Sequence, residues 1–384
     1  MVGYSHQLRK KDVDGINKAS IYTIAQRVGV SAATVSRALS GQGRVRPETR
    51  QRILAAAEEL NYRPSRLARR LSGPEITIVV FYAGMHLEEF GLDIFRGAYD
   101  ACQELADYHV RVRMCYLPNM MNFRAKECEV EQIIRILESG VRGAINLPIF
   151  SDEAQNARIQ QVVQERGIAL AQTVYSRDKG NPIFSYQSDV YTAGAIAAEL
   201  LWNILGDGGK VSIFTTQKDL PFYAAGIRGF RDAMQRYPLD LLVIYENYDD
   251  RQIAYHATDA LLRNYPDVRG IFVGSANSKT VCQRIAESPH PEEISLITSD
   301  LYPELVPYIE RRMVRATIIQ AQYTQAFEAF RALANYLITH IPAEQPVRMV
   351  RPQIVLHSNV EQFLTPMSDK RVAACLAAIE RIET

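Results

Sequence analysis

The sequence predicts an α/β protein in which a small helical head precedes a long body of two doubly wound lobes. Its 384 residues, 47% hydrophobic and 23% charged, suit two or three globular domains. Helical periodicity near the start gives way, from about residue 76, to β-rich runs that alternate with amphipathic stretches. Residues 1–74 carry 14 Lys and Arg against 5 Asp and Glu, and the remainder carries 30 against 38. A basic head on an acidic body is typical of a protein that meets a polyanion at one end.

Three short helical segments are predicted in the head, residues 19–63, after a polar tail over residues 1–18 that we expect to be disordered. Ser20 and Ser31 suit the N-caps of the first two helices, and Pro47 suits the first turn of the third. Gly29 ends the first helix. The predicted apolar faces are Ile21, Ile24, Ala25 and Val28; Val30, Val35 and Leu39; and Ile53, Leu54, Ala57 and Leu60.

Residues 21–39 have the layout of a helix-turn-helix, with Gly29-Val30-Ser31 as the turn. The exposed face predicted for the second helix is Ala32, Ala33, Thr34, Ser36 and Arg37. Small side chains allow a helix to approach base edges closely, and an arginine can bind guanine through two hydrogen bonds. A generic helix pair with an exposed arginine is the alternative, and the basic charge of the head favours DNA binding over it.

The stretch IYTIAQRVGVSAATVSRALSGQGRVRPETRQRILAAAEELNYRPSRLARRLSG, residues 21–73, resembles the DNA-binding head of the lactose/galactose repressor family. The resemblance implies a homodimer on a near-palindromic operator of double-stranded DNA, with base reading by Ala32, Ala33 and Arg37. It also implies further DNA contacts at Ile21, Tyr22, Thr23, Ser31, Thr34, Ser36, Arg44, Asn61, Tyr62, Arg63, Leu67 and Arg70.

Residues 64–74 form a basic segment, a linker too short for a stable isolated helix in water. The family resemblance implies that it is a hinge helix that folds on DNA and inserts Leu71 into the minor groove. An ordinary linker leucine is the alternative for Leu71.

The body, residues 75–365, is predicted to hold two lobes of parallel sheet flanked by helices. The β-rich runs are 76–83, 110–116, 143–149, 168–174, 210–215, 241–246, 270–275, 294–298 and 316–320. The body resembles the family's effector-binding and dimerisation domain, which has a periplasmic-binding-protein-like fold. Residues 366–384 are predicted to be a C-terminal tail with a possible helix, and a frayed tail and an assembly helix both remain open.

The resemblance implies a small-molecule effector, a sugar or sugar derivative, bound between the lobes. The implied contacts are Phe90, Asp189, Arg228, Ser275, Asn277, Asp300 and Gln320. Carboxylates and amides bond vicinal hydroxyls while a ring packs on the sugar face. Each residue also has a structural reading: Asp189 as a helix cap, Asp300 as a turn former, Gln320 as a strand-end contact, and Phe90 as core.

Two departures from the family pattern put the usual sugar pose in doubt. Gly226 occupies a position where the family commonly has an arginine, with Arg228 nearby. Ser275-Ala276-Asn277-Ser278 stands where many members have an Asn-Asp pair, and Ser275 or Asn277 could substitute. A regulator with a degenerate effector site therefore remains an alternative, as does a transport-type sugar-binding protein, which the basic head disfavours.

Other classes of protein find no support in the sequence. The five cysteines are scattered without CxxC spacing, so neither a disulfide framework nor a metal site is predicted. The N-terminus lacks the apolar core of a signal peptide, and no apolar run is long enough to span a bilayer. We therefore expect a cytoplasmic protein without membrane contact. No nucleophile with a base and an orienting group stands out, so we expect neither an enzyme nor a cofactor.

Overall fold

The computed structural model divides the chain into two units, residues 1–74 and 75–384, which are described separately. It describes residues 21–40, 45–60, 75–84, 89–118, 126–174, 182–364 and 370–382. The predicted tail 1–18 and hinge segment 64–74 lie outside the described residues. No helix in the described part of the chain is long and apolar enough to cross a membrane.

Within its described residues the first unit is a bundle of three helices: α1 (Ile21–Val28), α2 (Ala32–Ser40) and α3 (Pro47–Glu59). Gly29 ends α1 with φ +74°, a left-handed conformation that glycine adopts without steric cost. Ile24, Val35 and Ile53 are completely buried and bring one residue from each helix to the core. The buried face of α3 also includes Ala56 and Ala57, whereas Leu54 is 49% exposed. The prediction that Leu54 belongs to this face was wrong, because the helical repeat continues from Ile53 through positions three and four residues later.

The second unit contains thirteen strands among its described residues. They are β1 (Ile76–Gly84), β2 (Val110–Pro118), β3 (Val141–Ile145), β4 (Ala169–Val174), β5 (Phe184–Ser188), β6 (Lys210–Thr215), β7 (Asp240–Glu246), β8 (Val268–Val273), β9 (Ser295–Ser299), β10 (Val314–Ile319), β11 (Val347–Val350), β12 (Gln353–Val355) and β13 (Ile379–Arg381). All nine predicted β-rich runs are confirmed as strands, with bounds that differ by a few residues.

The helices of this unit cover the faces of its sheets. They are α4 (Glu89–Glu104), α5 (Glu127–Glu138), α6 (Glu153–Arg166), α7 (Val190–Leu205), α8 (Pro221–Ala233), α9 (Arg251–Asn264), α10 (Ser278–Ala286), α11 (Val306–Glu310), α12 (Gln322–Thr339) and α13 (Lys370–Ala377). Each sheet has buried apolar clusters against these helices. This layering accounts for the continuous apolar runs of the central strands, which are buried on both faces.

The strands form two sheets, and each sheet defines a lobe. Within the described residues, lobe 1 has the strand order β11-β5-β4-β3-β1-β2-β13 and lobe 2 has the order β12-β10-β9-β8-β6-β7. All pairs are parallel except β10 with β12. The structure thus confirms the predicted two-lobed, doubly wound fold.

The chain passes between the lobes four times; three of these crossovers lie within described residues, and the fourth leads back to lobe 1 between residues 364 and 370. The first runs from Ser188 into α7, the second from Gln320 into α12, and the third from β11 to β12. The lobes also touch through side chains, since Phe90 of α4 packs against apolar clusters of both lobes. Phe222 of α8 in lobe 2 packs against the main cluster of lobe 1.

The C-terminal residues return to lobe 1 and belong to its sheet. Strand β13 pairs in parallel with β2, and Cys375 and Ile382 are buried at 1% and 2% exposure. The guanidinium of Arg113 donates to both carboxylate oxygens of Glu380, with Nε–Oε1 and Nη2–Oε2 distances of 2.8 and 2.7 Å. Helix α13 and β13 therefore cover the edge of the sheet, where unpaired backbone groups of β2 would otherwise be exposed.

Candidate DNA-recognition helix and effector cleft

Helix α2 starts from a serine cap and keeps its cationic side chain in solvent. The backbone N–H of Thr34 donates to Oγ of Ser31 at 3.2 Å, which confirms the predicted cap. Val35 and Ala38 are buried against α1 and α3, whereas Arg37 is exposed. The helix therefore fixes its position through one face and presents Arg37 on another, as reading of a groove requires.

The small residues at the start of α2 are less exposed than expected. Ala32 is partly buried and packs against the core of the head, and Thr34 is partly buried with its hydroxyl 2.8 Å from that of Ser31. Ala32 is therefore partly a packing residue, because the first turn of α2 lies over the turn from α1. The side chains of Ala33 and Ser36 lie outside the described residues.

Two arginines of α3 serve the fold of the head, which the sequence pattern did not reveal. Arg52 donates to the carbonyl of Val28 at 3.0 Å, and Arg50 donates to that of Ala38 at 3.3 Å. These carbonyls lie near the C-terminal ends of α1 and α2, where the helix dipole favours a cation. Part of the positive charge of the head is thus used internally, by Arg50 and Arg52.

The remaining DNA-binding candidates divide by location. Thr23 is partly buried on α1, which also holds Ile21 and Tyr22, although the side chains of those two residues are not described. The others lie outside the described residues: Arg44, Asn61, Tyr62, Arg63, Leu67, Arg70 and Leu71. Their contacts with DNA stay predictions from the sequence.

Asp300 and Gln320 meet at the carboxyl ends of β9 and β10 in lobe 2. Nε2 of Gln320 donates to Oδ2 of Asp300 at 3.1 Å. Oδ1 of Asp300 and Oε1 of Gln320 are both buried, and neither has a hydrogen-bond partner among the described residues. Buried polar atoms of this kind are rare in folded proteins. Both atoms accept hydrogen bonds, so the pair suits a ligand that donates them.

The backbone and the charge of Asp300 are both unusual. Its φ is +63°, a conformation that non-glycine residues rarely adopt and that clusters at functional sites. Burial raises the pKa of its carboxyl group to about 7, with the nearby carboxylate of Asp93 acting in the same direction and the bond from Gln320 opposing it. Asp300 is therefore poised to change charge near neutral pH.

Ser275 and Asn277 follow β8 and are both 5% exposed. The hydroxyl of Ser275 accepts a hydrogen bond from Nδ2 of Asn247 at 2.7 Å, a partner that the sequence pattern did not indicate. Nδ2 of Asn277 is buried without a partner among the described residues. These two residues are the possible substitutes for the family's Asn-Asp pair. Asn277 has a donor group for which the described residues offer no partner, whereas the hydroxyl of Ser275 is hydrogen-bonded to Asn247.

The other three effector candidates have different surroundings. Asp189 caps α7, its Oδ1 accepting from the N–H of Thr192 at 3.0 Å. Phe90 lies where the lobes touch, with its ring centroid 6.5 Å from that of Tyr82. Arg228 is exposed on α8, because the face of that helix toward the sheet carries Gly226 and Ile227 instead. The structure therefore does not bring Arg228 to the cavity that Gln320 lines.

That cavity, called the cleft cavity here, lies at the strand ends of lobe 2 and measures about 40 Å³. Phe222, Gly226 and Gln320 line it, together with the ends of β6 and β9. Such a volume holds only a few water molecules. The residues that line it belong to lobe 2, and one of them, Phe222, also packs against the main apolar cluster of lobe 1.

A buried glutamine on α12 connects the first two crossovers to the end of β4 through hydrogen bonds. Oε1 of Gln325 accepts from the N–H of Val174 at 2.8 Å, and its Nε2 donates to Oγ of Ser188 at 2.9 Å and to the carbonyl of Gln320 at 2.7 Å. Gln325 is completely buried, and Val174 is held with φ +65°. The sequence pattern did not single out Gln325, because a glutamine in a helix carries no positional signal.

Comparison with protein families gives the two units separate matches. Residues 20–65 match the model described as bacterial regulatory proteins, lacI family, and residues 87–339 match the one described as periplasmic binding protein domain. The chain therefore carries a lacI-family head. Its body is a periplasmic binding protein domain, as the sequence resemblance implied. Members of the lacI family regulate transcription and are not enzymes.

Individual relatives agree with this assignment. The ribose operon repressor of Bacillus subtilis (strain 168) is 26% identical over 339 residues, which cover 86% of this chain and 95% of the relative. The HTH-type transcriptional regulator AscG of Escherichia coli (strain K12) is 59% identical over 49 residues, 13% of this chain and 15% of that protein. GanP, a glucose-galactose binding protein from Geobacillus stearothermophilus, superposes with a TM-score of 0.64 at 18% identity over 75% of this chain and 99% of its own. The matches to the head thus support the lacI-family assignment, and the matches that extend along the body support its fold.

Proposed function

We propose that this lacI-family regulator is a cytoplasmic repressor that binds a near-palindromic operator as a homodimer, and that a small sugar-like effector controls this binding. The observation that carries the proposal is the exposed Arg37 on a capped, well-packed second helix, within a head that matches the lacI family. Two such helices related by two-fold symmetry would read two half-sites of the operator.

Base discrimination in this proposal rests mainly on Arg37. Its guanidinium can donate two hydrogen bonds to O6 and N7 of guanine, the commonest specific contact in the major groove. Ala33 would contact the methyl group of a thymine. The hydroxyls of Ser31 and Thr34 would form hydrogen bonds with the sugar-phosphate backbone of the DNA next to it. The internal bonds of Arg50 and Arg52 hold the three helices together under the charge repulsion of a basic head.

The effector is proposed to bind at the strand ends of lobe 2, between the lobes. Asp300 and Gln320 supply buried acceptors and Asn277 a buried donor, which suits the paired donor and acceptor character of sugar hydroxyls. Two relatives support this ligand class, since one is a repressor of a ribose operon and another binds glucose and galactose. The cleft cavity of about 40 Å³ is smaller than a sugar, so entry requires the lobes to move apart.

Signal transfer follows from the crossovers. A change in the angle between the lobes moves the start of lobe 1, where residue 75 continues from the hinge segment 64–74. In a dimer this motion would bring two hinge segments together or apart, with Leu71 entering the minor groove only when they are together. Operator and effector must then change each other's affinity by the same factor.

The test is Arg37→Ala in the full chain, on a DNA fragment selected by the protein from a random-sequence pool. We expect a loss of about 1–3 kcal/mol on the selected fragment and relaxed preference at one base pair of each half-site. Fluorescence anisotropy on the selected fragment and on a scrambled one measures both quantities at fixed salt concentration.

Arg27→Ala is the matched control, since Arg27 is an exposed arginine of the head that pairs with Glu59 at 3.0 Å and lies outside α2. It should leave base preference unchanged. An equal loss for Arg37→Ala on selected and scrambled DNA would assign Arg37 to phosphate contact and overturn its role in base reading.

A further inference from the structure

A second and larger cavity lies next to the Asp300–Gln320 pair, because Leu301, Ile319 and Ala321 line it. We call it the α4 cavity, because Asp93, Arg96 and Asp100 of α4 form its charged wall. It measures about 460 Å³, within the range of small-molecule sites and more than ten times the cleft cavity. Neither the sequence motifs nor the family resemblance assigns a role to it.

We propose that the α4 cavity is a second ligand site, which takes a small organic amine as a cation. The charged residues at i, i+3 and i+7 of α4 lie on one face of that helix, so they all point to the same space. The described residues that line the cavity supply two carboxylates and one guanidinium. The wall therefore has a surplus of negative charge that an ammonium group would balance.

The charge of the guanidinium is already paired, so the surplus negative charge of the wall lies on the carboxylates. Nη1 of Arg96 donates to Oδ1 of Asp93 at 2.9 Å, and its guanidinium carbon lies 5.8 Å from the ring centroid of Tyr323. Among the described residues, Oδ2 of Asp93 accepts a single long bond of 3.4 Å, from Gln322. Asp100 accepts from the hydroxyl of Tyr323 at 2.7 Å. Each carboxylate keeps lone pairs for a further donor.

Aromatic and apolar groups complete a lining that suits an organic cation better than a hydrated metal ion. Tyr99, Tyr323 and Phe363 contribute rings, whose faces attract cations. Val372 and Cys375 of the C-terminal helix close one side. An alkyl- or cycloalkylammonium ion could bury its hydrocarbon part against these groups while its nitrogen meets a carboxylate.

The electrostatics of Asp93 support a cationic occupant. Burial raises the pKa of Asp93 to about 6, against the opposing effect of Arg96. The other charged groups near it are Asp300 across the lobe boundary and Asp100 on its own helix. A cation beside Asp93 would lower its pKa, so binding near pH 6 should release a proton.

The cavity spans the boundary between the lobes, so a ligand bound there can change the angle between them. Leu301, Ile319 and Gln353 belong to lobe 2, whereas α4, α12 and α13 belong to lobe 1. A ligand held by both walls favours the lobe angle seen here over any angle that separates them. An amine would thus act on the same equilibrium as an effector in the cleft, from a different site.

The experiment uses the full chain and two pairs of probes: cyclohexylamine with cyclohexanol, and 1,4-diaminobutane with 1,4-butanediol. Isothermal titration calorimetry at pH 6 in two buffers of different ionisation enthalpy measures affinity and proton release together. We expect binding of at least one amine, no binding of its alcohol partner, and net proton release. Asp93→Asn and Asp100→Asn should each weaken the amine at least tenfold.

Asp267→Asn is the matched control, since Asp267 is an exposed partner of Lys210 on lobe 2, outside the cavity. It should bind the amine as the unaltered chain does. Circular dichroism establishes that each variant is folded, and either carboxylate variant alone suffices for the test. Absence of amine binding, equal binding of an alcohol, or affinity that survives either carboxylate substitution in a folded variant would overturn the proposal.

Discussion

The two lobes share one architecture but differ in the hydrogen bonding of the polar side chains at the carboxyl ends of their strands. In lobe 1 the polar groups at these ends are bonded to one another. Asn146 and Thr173 exchange bonds of 2.8 Å, and Gln325 bonds Val174 and Ser188. In lobe 2 Asp300, Gln320 and Asn277 each keep a buried polar atom without a partner among the described residues.

This difference suggests that the strand ends of lobe 1 stabilise the fold, whereas those of lobe 2 bind a ligand. A bonded edge is rigid and costs free energy to disturb, whereas unpaired buried atoms cost stability until a ligand satisfies them. We infer that lobe 1 holds the crossovers in place and that lobe 2 supplies most of the polar groups for the effector. Substitutions in lobe 1 should then act mainly on stability, and those in lobe 2 mainly on ligand response.

The largest expected effect is that of Gln325→Leu in lobe 1. Leucine keeps a similar volume but removes three hydrogen bonds, which leaves the N–H of Val174 and the carbonyl of Gln320 buried and unpaired. We expect a loss of about 2–4 kcal/mol in the free energy of unfolding. Urea denaturation followed by circular dichroism measures it.

Gln320→Leu is the counterpart at the lobe 2 edge. Gln320 makes one side-chain bond to Asp300 and holds one unpaired oxygen, so its loss should cost less than half as much as that of Gln325. Equal destabilisation by the two substitutions would remove the distinction between a bonded and an unbonded edge.

A smaller effect, alike in both lobes, is expected where helices pack through glycine. A Cβ on Gly194 of α7 would lie 2.0 Å from the carbonyl oxygen of Gly226, and one on Gly97 of α4 would lie 2.2 Å from that of Tyr323. Since backbone atoms cannot move aside cheaply, Gly194→Ala and Gly97→Ala should each cost about 1–3 kcal/mol. Thermal unfolding of the purified variants compares them.

Gly226→Ala serves as the control for this pair. Its Cβ would meet the carbonyl oxygen of Val190 at 3.4 Å, an ordinary contact, and alanine favours a helix over glycine. Stability should therefore be unchanged or slightly higher. If Gly226→Ala destabilised the chain as much as Gly194→Ala, close approach of α7 and α8 would not be the cause.

The sequence predicted the parts of this protein that depend on periodicity or on a dense motif. The three head helices and the nine predicted strands have clear apolar repeats, and the family motif located Arg37. The strands β5, β11, β12 and β13 were missed because they are only three to five residues long, and β5 and β13 are also rich in polar residues. The bonds of Asn247 and Gln325 were missed because they join residues far apart in the chain.

For the proposed effector residues, the resemblance of motifs located some side chains in the cleft and not others. The family resemblance pointed to Asp300 and Gln320, and the structure brings these two residues together because they follow adjacent parallel strands and so reach the same edge. It also pointed to Arg228, which lies exposed on α8. Arg228 lies two residues beyond Gly226, and two residues along a helix lead to the opposite face, so an arginine near the family's position does not replace one at it.

The sharpest test of lobe 2, with the smallest effect on stability at low pH, is expected for Asp300→Asn. The pKa of Asp300 is about 7 in the folded chain and 3.8 as its ordinary value. The folded state therefore holds this proton when the unfolded state has lost it, and stability falls as the pH rises from about 4 through 7. Asparagine cannot ionise, so the variant should match the unaltered chain within about 1 kcal/mol near pH 4 and exceed it increasingly as the pH rises to 7. Melting temperatures from pH 4 to pH 8 measure this, with Asp93 contributing a similar slope to both proteins. The same substitution turns one acceptor oxygen into a donor, so any sugar that raises the melting temperature of the unaltered chain should raise that of the variant much less. A pH profile identical to that of the unaltered chain would mean that Asp300 is ionised throughout, and lobe 2 would then be as well satisfied as lobe 1.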